Sequence, residues 1–194
     1  MFKILGLHGS SGHPNLIQNY ISRFVPDIPA YCPRGTFADG DGFTFFKHKP
    51  DFSIPTDELL DLAKNSVAPS GFVTEFAMKK LLVIGYSSGA VFAEALLAVA
   101  PHLFAGAVLL RPQPIADDFT FPTLSYPVGK PILIISGLQD NRRQPYHAPK
   151  LACQLQHAEA VVTHHALEAG HDWASHDRDF SLARTWLDES FHRV

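Results

Sequence analysis

The sequence predicts an α/β protein with a minimal, mostly parallel sheet and helices on both of its faces. Short apolar runs alternate with longer amphipathic segments along the chain, and several of these runs are rich in β-branched residues. Strands that alternate with helices form a parallel sheet that is covered on both sides. With 194 residues and no internal repeat, the chain suits one domain spanning residues 1–194.

The predicted elements follow from the spacing of apolar residues and from the positions of glycine and proline. Periodicity alone leaves the apolar runs ambiguous between strand and helix, but their short length favours strands. Strands are predicted at residues 2–7, 28–31, 81–84, 105–110, 132–136 and 160–165. Helices are predicted at residues 14–24, from 56 with a break at 69–71, and at 88–99, 149–157 and 179–191. Residues 32–55 are predicted to be irregular, and no insertion is long enough for a separate lid domain.

Composition and charge exclude several classes of protein. The net charge is −3 and no basic run of five residues occurs, so nucleic acid is not an expected partner. The apolar stretch at residues 4–7 is far shorter than the roughly 20 residues of a spanning helix, so membrane insertion is not expected. Cys32 and Cys153 are too few for a disulfide framework. One bridge remains open, but two reduced thiols in a cytoplasmic protein are the preferred interpretation.

The strongest motif is a G-x-S-x-G pentapeptide, GYSSG at residues 85–89, between a predicted buried strand and an Ala- and Leu-rich helix. A serine on such a sharp turn is lifted above the sheet edge, and the small residues around it let strand and helix approach each other. The pentapeptide alone is common in unrelated turns. Its position between strand and helix is what identifies Ser87 as a candidate nucleophile of the α/β-hydrolase fold.

A serine hydroxyl needs a base to take its proton and a third group to orient that base. In this fold the order along the chain is Ser, then Asp or Glu, then His. Asp140 follows the strand predicted at 132–136, and His171 lies between the last strand and the last helix. We therefore expect Asp140 and His171 to complete the triad, with Asp117 and Asp118 as the alternative acids.

Two backbone N–H groups are needed to bind the oxyanion that develops on the substrate. The HG pair at residues 8–9 follows the first predicted strand, and the residue after it is Ser10. The expected donors are the N–H groups of Ser10 and Ser88, with Ser11 as the alternative to Ser10 if the loop turns differently. Because a backbone donor does not depend on its side chain, Ser10→Ala should have a mild effect.

Five segments in this order, LHGSSG, GYSSGA, AVLLRPQP, ISGLQD and AGHDW, resemble the small phospholipase/carboxylesterase and dienelactone-hydrolase-like family of α/β-hydrolases. The resemblance runs from about residue 4 to residue 187. It implies a triad of Ser87, Asp140 and His171 and oxyanion donors at Ser10 and Ser88. The chain departs from the family in three respects. Ser88 stands where Asn or Gln is usual, the nucleophile is serine rather than the cysteine of true dienelactone hydrolases, and two outer strands are missing.

These features predict a serine carboxylesterase that acts on a small-molecule ester without a cofactor or a metal. An acyl-thioesterase is the alternative enzyme, and a non-catalytic binding module on the same fold is the alternative from another class. Arg111 begins the loop after the strand at 105–110 and is a candidate for substrate binding, although a structural role in bonding loop carbonyls is equally open. The Phe-rich residues 32–55 form either a substrate-side wall or a hydrophobic plug on the core. Oligomeric state is not predicted.

Overall fold

The structure, a computed structural model, describes residues 2–51, 53–76 and 80–191. The strands are β1 (Lys3–Leu7), β2 (Ala30–Tyr31), β3 (Phe37–Asp39), β4 (Gly42–Thr44), β5 (Leu81–Tyr86), β6 (Phe104–Leu110), β7 (Pro131–Gly137) and β8 (Val161–Leu167). The helices are α1 (Pro14–Phe24), α2 (Thr56–Val67), α3 (Phe72–Phe76), α4 (Ser88–Val99), α5 (His147–His157) and α6 (Arg178–Phe191).

Six of the strands form one sheet in the order β2-β1-β5-β6-β7-β8, and all five neighbouring pairs are parallel. The predicted α/β class with a parallel sheet is therefore confirmed. Helices α1 and α6 pack on one face, while α2, α4 and α5 pack on the other. Because successive side chains of a strand point to opposite faces, Leu81 and Val83 of β5 enter one core and Leu82 and Ile84 the other. This two-sided burial explains the continuous apolar run in the sequence.

Helix α4 lies at the centre of its layer and is buried from Ser88 to Ala98. Its Ala- and Leu-rich composition, with apolar residues around its whole circumference, matches that position. Glu94 is the exception, since it is fully buried and both of its carboxyl oxygens accept from the N–H of Ile115, at 3.4 and 3.2 Å. Burial raises the pKa of Glu94 well above its ordinary value. The contact fixes the loop after β6 to the helix that follows the candidate nucleophile.

The segment predicted to be irregular contains an antiparallel hairpin, β3–β4, joined by a turn in which Gly40 has a φ of +57°. Each strand has only three residues, which is too short for a period-two pattern to stand out in the sequence. An isolated bridge between Gly12 and Phe43 ties the hairpin to the loop after β1. Phe45 and Phe46 are buried in the core, as the plug interpretation expects.

Three strands of the sheet extend further at their carboxyl ends than predicted. Strand β5 continues to Tyr86, β7 to Gly137 and β8 to Leu167. These extensions bring the three loops that follow to a common edge of the sheet, where ligands collect in open parallel sheets. Within residues 2–51, 53–76 and 80–191, no helix has the length and apolarity needed to cross a bilayer.

Candidate active site

The chain turns sharply at Ser87, which has φ 55° and ψ −117° and immediately precedes α4. Non-glycine residues rarely adopt this backbone conformation, because it brings the side chain close to the backbone. Two glycines make the turn possible. A Cβ at Gly85 would lie 2.4 Å from the carbonyl oxygen of Gly89, and one at Gly89 would lie 2.2 Å from that of Leu7. The turn therefore requires small residues on both sides of Ser87, which is the spacing that the motif provides.

The structure brings the three predicted triad side chains together. Ser87 Oγ lies 2.9 Å from His171 Nε2, and His171 Nδ1 lies 2.8 Å from Asp140 Oδ2. The other carboxyl oxygen of Asp140 accepts from the N–H of Arg142 at 2.9 Å. With Nδ1–H donating to Asp140, Nε2 is free to accept the proton of the Ser87 hydroxyl.

The alternative acid Asp117 lies near α5, away from His171. Its carboxylate accepts a hydrogen bond from the Tyr146 hydroxyl and forms an ion pair with Lys150. Asp118 is exposed, and its carboxylate has no hydrogen-bond partner in the described part of the chain. Neither aspartate contacts His171, whereas Asp140 does. Asp140 is therefore the acid whose position fits the third role.

Burial is the main influence on His171, and it lowers the pKa of the imidazole from its ordinary value of 6.5. The hydrogen bond to Asp140 acts in the opposite direction, and the positive charge of Arg143 lowers the pKa further. A depressed pKa keeps the ring neutral near pH 7. A neutral ring can accept a proton, as a general base must.

The backbone of the loop after β1 distinguishes Ser10 from Ser11. The N–H of Ser11 donates to Asp39 Oδ2 at 2.7 Å, so it is not available to a substrate. In contrast, the N–H groups of Ser10 and Ser88 have no acceptor within the described residues. Both therefore remain free to bind an oxyanion beside Ser87.

His8 fixes this loop, a role that the sequence interpretation missed. Its ring Nδ1 donates to the carbonyl of Gly9 at 2.8 Å, and Nε2 accepts from the N–H of Gly35 at 3.0 Å. The ring also packs against Phe45, with 4.8 Å between the centroids. His8 thus ties the candidate oxyanion loop to the Phe-rich segment. Its position in the HG pair was the signal, but which partners it meets depends on the tertiary structure.

The structure corrects the substrate-binding interpretation of Arg111. Its side chain is fully buried and pairs with Asp179 through two hydrogen bonds of 2.8 and 3.2 Å. It also donates to the carbonyls of Gly170 and Asp172, at 3.1 and 2.8 Å. These carbonyls flank His171 in the chain. Arg111 therefore holds the histidine loop from beneath, and it does not face the cleft.

The arginine that does contact the nucleophile is Arg143, which the sequence interpretation missed. Its Nη2 donates to Ser87 Oγ at 2.9 Å, its Nε to the carbonyl of Arg111 at 2.9 Å and its Nη1 to the carbonyl of Arg142 at 3.0 Å. Burial lowers the pKa of the guanidinium. The only signal in the sequence is that Arg143 comes three residues after the predicted acid.

A cavity of about 470 Å³ opens beside the Ser87 hydroxyl. It is bounded by the loop after β1 on one side and by the loop after β7 on another, and the Phe-rich segment contributes His48. The lining contains Ser10, His48, Ser87, Ser88, Val91, Gln113, Arg142 and Arg143. No acidic residue belongs to this lining, so the cavity carries a local excess of positive charge although the chain as a whole is at −3.

Known proteins resemble this chain over almost its whole length. One relative is MhqD of Bacillus subtilis, a protein named as a hydrolase. It is 25% identical to this chain over 195 residues, and the match covers 96% of this chain and 92% of MhqD. A carboxylesterase from Mesorhizobium loti is 26% identical with a TM-score of 0.84, covering 95% of this chain and 88% of that one. The Bacillus cereus carboxylesterase shares the fold, with 23% identity and a TM-score of 0.81 over 98% of this chain and 89% of that chain. No protein-family profile matches.

Proposed function

We propose that the chain is a hydrolase of the α/β-hydrolase carboxylesterase family and that it cleaves a carboxylic ester through an acyl intermediate on Ser87. The observation that carries this proposal is the continuous hydrogen-bonded line from Ser87 through His171 to Asp140, with contacts of 2.9 and 2.8 Å. A hydroxyl, a neutral imidazole and a carboxylate in this order form the arrangement that generates a serine nucleophile.

In the first half of the reaction, the Ser87 hydroxyl attacks the ester carbonyl while His171 Nε2 takes its proton. Asp140 holds the ring with Nδ1–H towards itself and stabilises the imidazolium that forms. His171 then gives the proton to the leaving alcohol, which departs and leaves the acyl group on Ser87. In the second half, His171 removes a proton from water, the resulting hydroxide attacks the acyl group, and the acid is released as Ser87 regains its proton.

The N–H groups of Ser10 and Ser88 stabilise the negative oxygen in both halves. Loss of one such donor typically costs about 2.7–4 kcal/mol of transition-state stabilisation. Since both donors belong to the backbone, substitutions of these side chains test their environment and not the donors themselves. Ser88 Oγ is buried and has no hydrogen-bond partner among the described residues, so Ser88→Ala removes no hydrogen bond of the hydroxyl.

The test of the proposal is Ser87→Ala. We expect the rate of hydrolysis of p-nitrophenyl acetate to fall by roughly 10⁴-fold or more, since the nucleophile is lost while the binding groups remain. A fluorophosphonate probe should label the wild-type protein at Ser87, as located by peptide mass spectrometry, and should not label Ser87→Ala. Ser88→Ala is the matched control, because it changes the neighbouring hydroxyl in the same motif and should retain labelling.

An unlabelled wild-type Ser87 would contradict the proposal and would favour a binding module on the hydrolase fold. Hydrolysis rates for an oxygen ester and a thioester with the same acyl group separate the carboxylesterase from the thioesterase. The proposal predicts that the oxygen ester is cleaved with the larger kcat/KM.

A further inference from the structure

The guanidinium of Arg143 and the cavity that it lines carry one inference about the substrate. We propose that the substrate of this site carries a carboxylate close to its scissile ester and that Arg143 binds this carboxylate. The inference rests on the proposed esterase function and goes beyond it, because it assigns the chemical class of the substrate and a residue that selects it.

The first argument concerns the unused hydrogen-bond donors of Arg143. A guanidinium has five N–H donors in a planar fork. Three are used, by Ser87 Oγ and by the carbonyls of Arg111 and Arg142. Two donors, one on each terminal nitrogen, have no acceptor in the part of the chain that the structure describes. A carboxylate is the group whose two oxygens match a pair of guanidinium donors.

The second argument concerns the missing counter-charge. Among residues 2–51, 53–76 and 80–191, no carboxylate forms an ion pair within 4 Å of the guanidinium group of Arg143 or of Arg142. The nearby acids are committed elsewhere, since Asp140 binds His171 and Asp39 binds Ser11. Arg143 is half-buried, and a partly desolvated charge without a paired carboxylate is a cost to the free protein. An anionic ligand in the cavity would supply the missing partner.

The third argument concerns position. Nη2 of Arg143 lies 2.9 Å from Ser87 Oγ, the atom that becomes the ester oxygen of the acyl intermediate. Any carboxylate that reaches this guanidinium must therefore be separated from the reacting carbonyl by only a few bonds. Arg142 also lines the cavity and its positive charge would add to the attraction. Val91 and Gln113 also line the cavity, and because both side chains are uncharged they do not repel an anion.

The test compares ester pairs that differ in charge and agree in length. On the acyl side, the pair is monoethyl glutarate and ethyl pentanoate. On the alcohol side, it is the acetate ester of glycolic acid and ethyl acetate, in which a methyl group replaces the carboxylate. For at least one pair, we expect the wild-type kcat/KM to favour the anionic ester by about tenfold or more, which equals about 1.4 kcal/mol. The pair that shows the preference identifies the side of the substrate that carries the carboxylate.

Three variants assign the preference to its residue. Arg143→Met keeps an unbranched, flexible side chain similar to the aliphatic part of arginine and removes the charge, so the ratio of kcat/KM between the anionic and the neutral ester should fall to near unity, whatever change in rate the two esters share. Arg143→Lys keeps the charge and should retain part of the preference. Arg178→Met, at an exposed arginine on α6, is the matched control and should retain all of it.

Binding measured without turnover separates failure of this inference from failure of the esterase proposal. Glutarate should bind to Ser87→Ala, measured by calorimetry, and should bind at least tenfold more weakly to Ser87→Ala/Arg143→Met. If esters are hydrolysed through Ser87 but neither pair shows a charge preference, the carboxylate inference is wrong and the esterase stands. If no ester is hydrolysed and glutarate still binds through Arg143, the anion site stands and the esterase proposal fails. Equal glutarate binding with and without Arg143 overturns the inference.

Discussion

Two neighbouring arginines at the candidate active-site edge of the sheet, the buried Arg111 and the half-buried Arg143, differ in how their charge is balanced. Arg111 is fully buried and pairs with Asp179 at 2.8 Å. Arg143 donates to the backbone carbonyl of Arg111 at 2.9 Å, but no carboxylate pairs with it in the described chain. The Arg143 guanidinium also donates a hydrogen bond to the hydroxyl oxygen of Ser87. One charge is thus neutralised inside the protein, and the other is directed at the cleft.

The difference indicates how a single residue type can serve either folding or ligand binding. The guanidinium of Arg111 joins the end of β6 to the loop that carries His171 and to Asp179 at the start of α6. It fixes the position of the base through these backbone carbonyls. Arg143 makes fewer contacts and leaves donors free. A paired arginine organises the chain around it, whereas an unpaired one is available to a molecule from outside.

The largest expected effect follows from removing the paired arginine. Arg111→Met leaves Asp179 buried without a counter-charge, which typically destabilises a protein by about 3–5 kcal/mol. Urea unfolding followed by circular dichroism measures the loss. In the variant, Asp179 Oδ2 would keep one of its hydrogen bonds, the one from the N–H of Ala174, which is 2.6 Å long in the wild-type structure. The double variant Arg111→Met/Asp179→Asn should recover part of the lost stability, because it removes the unpaired charge. A loss below about 1 kcal/mol in Arg111→Met would contradict the structural role of this arginine.

An intermediate effect is expected in the pH dependence of hydrolysis. The pKa of His171 lies below its ordinary value of 6.5. As the pH is lowered, the wild-type kcat/KM for a neutral ester should therefore begin to fall only at a pH below that value. It should fall on further acidification, as the base becomes protonated. The positive charge of Arg143 contributes to the depressed pKa. In Arg143→Met the midpoint of the acid limb should therefore move to higher pH.

Arg143→Lys is the control for this shift, because it retains the positive charge and should keep the midpoint near that of the wild type. A midpoint that stays in place or moves to lower pH in Arg143→Met would show that the charge of Arg143 does not act on His171. Stopped assays across pH 5 to 8 with a neutral ester give both midpoints without involving the carboxylate preference.

The smallest expected effect is on the stability of Arg143→Met. The substitution gives up hydrogen bonds to two carbonyls and to Ser87 Oγ but also removes a partly desolvated charge without a paired carboxylate, and these contributions oppose each other. We expect the free energy of unfolding to change by less than about 1 kcal/mol, measured by the same urea titration as for Arg111→Met. A loss as large as that of Arg111→Met would mean that the two arginines serve the fold alike.

The sequence was sufficient for those parts of the molecule that depend on local pattern. Buried strands show as apolar runs, and the turn at Ser87 shows through the glycines that its backbone requires. The roles of Arg111 and Arg143 could not be distinguished in this way. Both follow a central strand, and which of them faces the cleft depends on Asp179, a residue 68 positions from Arg111 in the chain. Likewise, the acceptor that removes Ser11 from consideration is Asp39, which a hairpin with strands too short to recognise brings into place.

The backbone of Ser87 has a further consequence for the evolution of this protein. A left-handed conformation at a residue with a side chain typically costs on the order of 1–3 kcal/mol. Glycine at position 87 would relax the strain and abolish the nucleophile in the same step. Selection for heat resistance and selection for the proposed turnover would therefore act in opposite directions on this one codon.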